Sequence, residues 1–388
     1  MKRQTISLPS TLRAVLVALV VGGGAAFAGG LVLSPARAWT AYLTAAFSVL
    51  GPALGALVLL ALLHVAKAGW GVVVKRVVEG VASYLPWGAG SIVVLLAGMH
   101  TLYPWAGPHG HDDPILQAKS AWLNVPGFAL RMGVVLALWL LFARLFRRWS
   151  LAQDTDDDVA HTRRAVALSA GFLVVFALSF SVASFDWLMS LSPHWQSTIF
   201  AWYQMAGVLV SALAVVLVAA IWLHRTGALP ELRVSHVHDL AKLLFAMSTF
   251  WAYLWVSQYL LIWYANMPEE TAYYLARTES GYHFLFWINL ILGWLFPFVM
   301  LLSRTAKRSS ANVLRVCAVV LLGRWLDVYL QVAPSVLPED AGIGLLDVVL
   351  FAAFAAGLIL VVERALRSAP LLARGDPYLV ESLHHDAS

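Results

Sequence analysis

Asp186, Glu269, Glu270 and Asp327 are carboxylates set in sequence that is otherwise strongly apolar. Three histidines, His100, His194 and His283, and two arginines, Arg131 and Arg324, fall at matching depths in their own apolar segments. An ionisable group near the centre of a membrane helix costs roughly 2.5–3.5 kcal/mol, so those that persist mark pathways or paired sites. Carboxylates and imidazoles gathered toward one face suit two chemistries. One is a proton-exchanging half-channel; the other is a quinone headgroup pocket, where a base must lie within hydrogen-bond reach of the protons it takes. Asp186 is the foremost candidate, because it ends a helical run at the negative end of the dipole and there needs a partner or a neutralising proton. His194, Glu269, Glu270, His100, His283 and Asp327 complete the proton-path candidates, and Arg131, Arg324 and Tyr264 are the quinone-pocket or ion-pair candidates. Arg324 and Asp327, three apart on one helix, can face each other. The plainer reading makes the carboxylates solvated helix ends and the arginines ties to Asp186 and Asp327.

The opposite face offers His64, His224, His236, His238 and Asp239, and the middle layer Gln204, Gln258 and Asn289. His64 and His224 at equal depth invite a bis-histidine haem, but no second histidine on either helix supports it, and interfacial imidazoles are the simpler account. One cysteine, Cys317, cannot form an internal disulfide, a thiolate-held cluster or a Cys-x-x-Cys-His haem attachment. No metal site is expected in this chain.

Those residues must be positioned by membrane helices. The 388 residues are 61% hydrophobic and only 12% charged, with mean hydropathy +0.77, which excludes a soluble domain. Apolar runs at 12–33, 42–65, 84–103, 120–143, 165–185, 198–223, 240–265, 281–302, 313–331 and 343–362 each suffice to span ~30 Å of hydrocarbon. They are continuous rather than alternating, which excludes a barrel. Basic residues then orient the ten predicted helices. Lys2, Arg3 and Arg13, then Lys67, Lys75 and Arg76, then Arg144, Arg147, Arg148, Arg163 and Arg164 fall on one face. So do Arg225, Arg233 and Lys242, then Arg304, Lys307, Arg308 and Arg315, and finally Arg364, Arg367 and Arg374. The other face holds only Arg37, Lys119 and Arg277. This asymmetry predicts both termini in the cytoplasm, and it assigns the net charge of +5 to the membrane rather than to nucleic acid.

The first span resembles a secretory signal, with Ala26-Phe27-Ala28 as a cleavage site, and is read as a retained helix. The 66–83 stretch is expected to lie along the inner surface as an amphipathic segment, and the tail after Glu363 to be an exposed extension. A shift of 160 residues lays Leu63-His64 on Leu223-His224 and Arg144, Arg147 and Arg148 on Arg304, Lys307 and Arg308. Helices 2–5 then repeat as helices 6–9 in the same orientation. The expected fold is an all-α polytopic membrane protein: two four-helix bundles, 42–186 and 194–331, flanked by helix 1 (12–33) and helix 10 (343–363), with a cytoplasmic tail, 364–388.

Two stretches carry a family likeness: Phe185-Asp-Trp-Leu-Met-Ser-Leu-Ser-Pro-His-Trp-Gln-Ser-Thr-Ile-Phe-Ala-Trp-Tyr203, and 250–271, which begins Phe-Trp-Ala-Tyr-Leu-Trp and ends Trp-Tyr-Ala-Asn-Met-Pro-Glu-Glu-Thr. The chain resembles the ActF family, quinone-binding subunit 2 of bacterial alternative complex III, within the NrfD-like integral membrane proteins. The resemblance implies a single NrfD-like membrane domain over 1–388 in the bacterial cytoplasmic (inner) membrane. It implies a subunit of a quinol:cytochrome c or other electron-acceptor oxidoreductase in the respiratory chain, supporting quinol oxidation and proton translocation with no redox centre of its own. Partners so implied are an ActC-like membrane subunit, multihaem and monohaem cytochrome c subunits, an iron–sulfur protein, smaller membrane subunits, lipids, and a terminal oxidase in a supercomplex. Haem c and iron–sulfur clusters would reside only in those partners, with quinone or quinol as the one small-molecule cofactor. Asp186, His194, Glu269 and Glu270 lie in the matching stretches and carry over as polar-path candidates. The rival readings are a purely structural membrane anchor for redox subunits, and a secondary transporter, which the lack of paired broken helices disfavours.

Overall fold

A computed structural model describes residues 8–107, 113–156 and 158–386. Every regular element among them is helical. The long ones are α1 (Ser10–Leu33), α2 (Pro35–Val65), α3 (Gly69–Leu102), α4 (Val125–Asp156), α5 (Val159–Trp187), α6 (Phe200–Arg225) and α7 (Val234–Ala265). A short α8 (Pro268–Thr278) leads to α9 (His283–Met300), α10 (Ser310–Val336), α11 (Leu345–Arg367) and a terminal turn, α12 (Leu379–Leu383). Nine of these helices are long and apolar enough to cross a membrane, so the chain is a multi-pass, all-helical membrane protein. The tenth predicted span, 313–331, falls in α10, which is helical but not one of the nine.

The centre of the molecule is α2 packed on α6, the two most buried long helices. Their backbones approach closely: a Cβ on Gly55 would lie 2.3 Å from the carbonyl oxygen of Val208. Without a hydrophobic drive between helices in lipid, such small-residue contacts let dispersion hold the pair. Around this core α5 lies against α2 and α4, α7 against α6, and α10 against α2, α6 and α9. At the edge α1 runs along α11 and leaves most of its surface outward.

The loops predicted to share the basic face do meet at one end. Arg13 pairs with Glu363 at 2.7 Å, Lys75 with Asp376 at 2.8 Å and Arg147 with Glu79 at 2.7 Å. The opposite end is closed by Arg37 on Asp347 (3.0 Å), by Asp113 on His194 (2.5 Å) and by Ser192 on Ser335 (2.7 Å).

Two expectations fail at the basic end. The 66–83 stretch does not lie along a surface: it enters α3, and every residue of Val72–Ala82 is buried. Its charged side chains face protein partners rather than water, so amphipathic spacing there marks two protein-facing sides. The tail is not a free extension either. Ser382 Oγ donates to the Trp70 carbonyl (2.6 Å) and accepts from Val73 N (3.0 Å), while His385 meets Asp239 at 2.5 Å.

Candidate functional site

The largest polar assembly away from the basic end is centred on Asp327 of α10. Both carboxylate oxygens are saturated by donors from three helices. Oδ1 accepts from Tyr203 Oη of α6 and from Asn289 Nδ2 of α9 at 2.9 Å. Oδ2 accepts from Arg324 Nη1, one turn back on α10, and from Gln331 Nε2 at 3.2 Å. Gln331 in turn accepts from Gln204 Nε2 of α6 and its amide lies 3.5 Å from Tyr203 Oη. Asp327 is 1% exposed. Only such full pairing makes a buried carboxylate tolerable in a low-dielectric interior.

Room for Arg324 comes from Gly207 on α6, where a Cβ would sit 2.1 Å from the guanidinium carbon. Next to Asp327 is a cavity of about 30 Å3 lined by Tyr203, Gln258, Tyr273, Arg277 and Asn289. Gln258 Nε2 and Asn289 Oδ1 are buried without a protein partner. A site of this size and polarity accepts one or two waters, whereas a cavity of about 150 Å3 is needed for a benzene ring. As shaped here, this cavity is too small for a quinone ring.

Arg277 of α8 closes the assembly. Its Nε donates to the Leu330 carbonyl at 2.9 Å, and its guanidinium stacks over the Tyr273 ring at 3.4 Å. The acceptor has a local cause. Pro334 lies inside α10, and without an N–H it leaves the carbonyl four residues earlier, that of Leu330, with no helical donor. Burial lowers the Arg277 pKa, partly offset by the surrounding tyrosines.

Asp186 closes α5 and is 1% exposed. Arg131 of α4 grips it through Nε to Oδ2 (2.6 Å) and Nη2 to Oδ1 (3.2 Å), and Trp122 Nε1 donates to Oδ1 at 2.9 Å. The Arg131 guanidinium also lies over the Trp122 ring, 4.2 Å from its centroid. The expected partner of Asp186 is thus present, and α4 and α5 are tied at this end. The chain that follows joins the two assemblies: Ser190 Oγ donates to the Asp186 carbonyl (2.5 Å), Ser192 meets Ser335 (2.7 Å), and Trp195 stacks on Tyr273 at 3.8 Å. His194 points outward from the same loop onto Asp113, and this hydrogen bond holds the Asp113 carboxyl below its ordinary pKa.

Other candidates are not brought together with these. His100 and His283 are exposed and bond local carbonyls, Ala106 O at 2.6 Å and Thr278 O at 2.5 Å. Glu269 and Glu270 sit in the first turn of α8, the positive end of its dipole, where carboxylates are ordinary. Tyr264 is 86% exposed and lines neither assembly.

Sequence reasoning missed a third assembly at the basic end. Glu79 of α3 is buried and takes Arg76 (2.8 Å), Arg147 (2.7 Å) and Ser150, while Arg76 reaches on to Asp154. The 3-residue spacing of Arg76 and Glu79 inside a valine-rich run was its sequence signal. Nearby, His64 Nδ1 lies 3.1 Å from Ser169 Oγ, with Nε2 buried and unpartnered. His224 bonds the Leu229 carbonyl at 3.1 Å. No protein-family model and no curated protein matches the chain.

Proposed function

We propose that the chain is an integral membrane subunit of a quinol:electron acceptor oxidoreductase of the alternative complex III type, an ActF-like member of the NrfD-like proteins. In this reading it supports quinol oxidation by a partner subunit and conducts protons, with the basic end and both termini in the bacterial cytoplasm. The ten spans form two four-helix bundles, with α10 completing the second and α1 and α11 at the periphery. The observation that carries the proposal is the Asp327 assembly. The stretch 185–203 that bears the family likeness supplies Tyr203 to it and Asp186 to the neighbouring assembly, and Ser192 and Ser335 bridge the two. A hydroxyl, a carboxylate and a water-sized cavity in hydrogen-bond contact are the parts a proton relay requires.

The small cavity argues that quinol itself binds elsewhere in the complex, so this chain contributes protons and anchorage rather than redox chemistry. A transporter reading is weakened by the helix irregularities: the 3-10 turn Leu95–Gly98 in α3 and the π-helical stretch Ile291–Leu295 in α9. Shifted by 160 residues, neither falls on an interruption of the other half, so among the described residues these two interruptions do not pair to build an alternating site.

Replacing Asp327 by Asn in the assembled complex should slow quinol oxidation or proton release by about a hundredfold per complex, the scale of a lost proton-transfer group. Unchanged turnover and coupling would remove Asp327 from the path. The structural-anchor reading has its own support in the Arg131 clamp on Asp186, a fully paired tie between helices. It predicts that Asp186→Asn lowers the yield of assembled complex and leaves activity per complex intact.

A further inference from the structure

Near the basic end, α2, α3 and α4 enclose an open groove of about 650 Å3, within the size range of ligand sites. Its walls are apolar: Leu57 and Leu60 from α2, Pro86 from α3, and Ala137, Leu140 and Leu141 from α4. Its rim is not. Arg144, Arg147 and Arg148 follow one another along α4, and the one acidic residue lining the groove is Glu79.

Glu79 is already engaged by Arg76, Arg147 and Ser150. Arg144 and Arg148 are exposed and have no carboxylate partner among the described residues. Four apart on one helix, they repel each other, and two guanidiniums in that position favour an anion held between them. The length of the groove indicates which anion. From Ala137 to Arg144 the apolar wall on α4 rises about 10 Å at 1.5 Å per residue, most of the way into one leaflet of a ~30 Å hydrocarbon core. An apolar trough that enters one leaflet and ends in unpaired arginines at the interface matches the shape of a phospholipid with a charged headgroup. Guanidinium is also the side chain best suited to phosphate oxygens, through paired N–H donors. A quinone fits less well: it is neutral, and the rim presents neither histidine nor tyrosine.

We propose that this groove binds one anionic phospholipid, with its phosphodiester between Arg144 and Arg148 and its acyl chains against Pro86, Ala137, Leu140 and Leu141. The site is independent of the proton relay, since it lies at the other end of the molecule.

The test uses the full chain in detergent micelles, titrated with phosphatidylglycerol, with phosphatidylcholine of the same chains, and with inorganic phosphate alone, and read by native mass spectrometry. Phosphatidylglycerol should be retained at least tenfold more tightly than phosphatidylcholine, and phosphate alone should not compete. The pair Arg144→Gln and Arg148→Gln should weaken phosphatidylglycerol about fivefold per arginine, the scale of one basic residue at an anionic membrane surface, and leave phosphatidylcholine unchanged. Arg144→Lys with Arg148→Lys keeps the charge and should keep most of the preference. Equal retention of the two lipids, an undiminished preference in the glutamine variant, competition by phosphate alone, or co-purified quinone in place of phosphatidylglycerol would each overturn the proposal.

Discussion

Arg324 and Asp327 show how much a single neighbour decides at the residue scale. A salt bridge three residues apart on a surface helix contributes little, but here the pair is buried and shares its donors with Tyr203, Asn289 and Gln331. The guanidinium reaches that position only over Gly207. Gly207→Ala should therefore destabilise the protein by about 1–3 kcal/mol, as overpacking does, although alanine favours helix by ~1 kcal/mol over glycine. Thermal unfolding in detergent would show a lowered midpoint where helix propensity alone predicts a raised one. At the surface, Asp113 and His194 make a contrasting pair. The Asp113 pKa is held down by the His194 hydrogen bond, so its contribution is present above the ordinary carboxylate value of 3.8 and is lost as pH falls through the depressed one. Amide exchange in residues 113–119 should accelerate as pH drops below about 4, relative to the intrinsic rate, and Asp113→Asn should remove that dependence.

At the scale of elements, α10 carries a proline that costs it a hydrogen bond, and α8 supplies the replacement. Arg277→Met should leave the Leu330 carbonyl without a donor and cost about 1–3 kcal/mol. Adding Pro334→Ala restores an N–H four residues on, so the double variant should be less destabilised than the sum of the single ones. A double-mutant cycle on unfolding free energies measures that coupling; strict additivity would mean that Arg277 acts through its other partners, Tyr273, Gln331 and Ser335, rather than through the Leu330 carbonyl. This compensation also marks what the sequence makes legible. Apolar runs announce helices because lipid requires every backbone group to be paired within the segment, and nine of the predicted spans are helices of that kind. The ionisable residues set inside them were equally visible: Asp186, Arg131, Arg324 and Asp327 are all in the paired assemblies. Their partners were not. Tyr203 and Asn289 are unremarkable in sequence, and Arg277 read as a loop charge, because which donor reaches a buried carboxylate is set by helix packing. His100, His283 and Tyr264 lie apart from these assemblies for the converse reason: depth along a helix says nothing about which side faces the protein.

The whole molecule is held at its basic end by a closure that joins positions about 300 residues apart. The Val72–Ala82 turns of α3 are buried against α2, α6 and α11, and the tail returns over their N-terminal end: Asp376 pairs with Lys75, and Ser382 plugs the gap between Trp70 and Val73. Lys75 and Asp376 are 7% and 6% exposed at their side chains, so each is the other's main source of charge compensation. Removing one partner of a buried pair leaves an uncompensated charge and costs about 3–5 kcal/mol, whereas replacing both with apolar residues of similar size is often neutral. Asp376→Leu alone should therefore destabilise strongly and expose the tail to proteolysis, and Lys75→Met combined with Asp376→Leu should recover most of the loss. Limited proteolysis followed by mass mapping separates the outcomes. If the tail were a mere extension, it would be cut equally fast in the parent and in both variants, and all three would unfold at the same temperature; if it is a latch, cleavage after residue 367 should precede loss of the α2–α6 core only in the single variant. His385 on Asp239 and His236 on the Ser382 carbonyl extend the latch to α7. The same closure thus fastens the start of α3 and the first turns of α7, which explains why a polar C-terminal segment is ordered against a membrane domain.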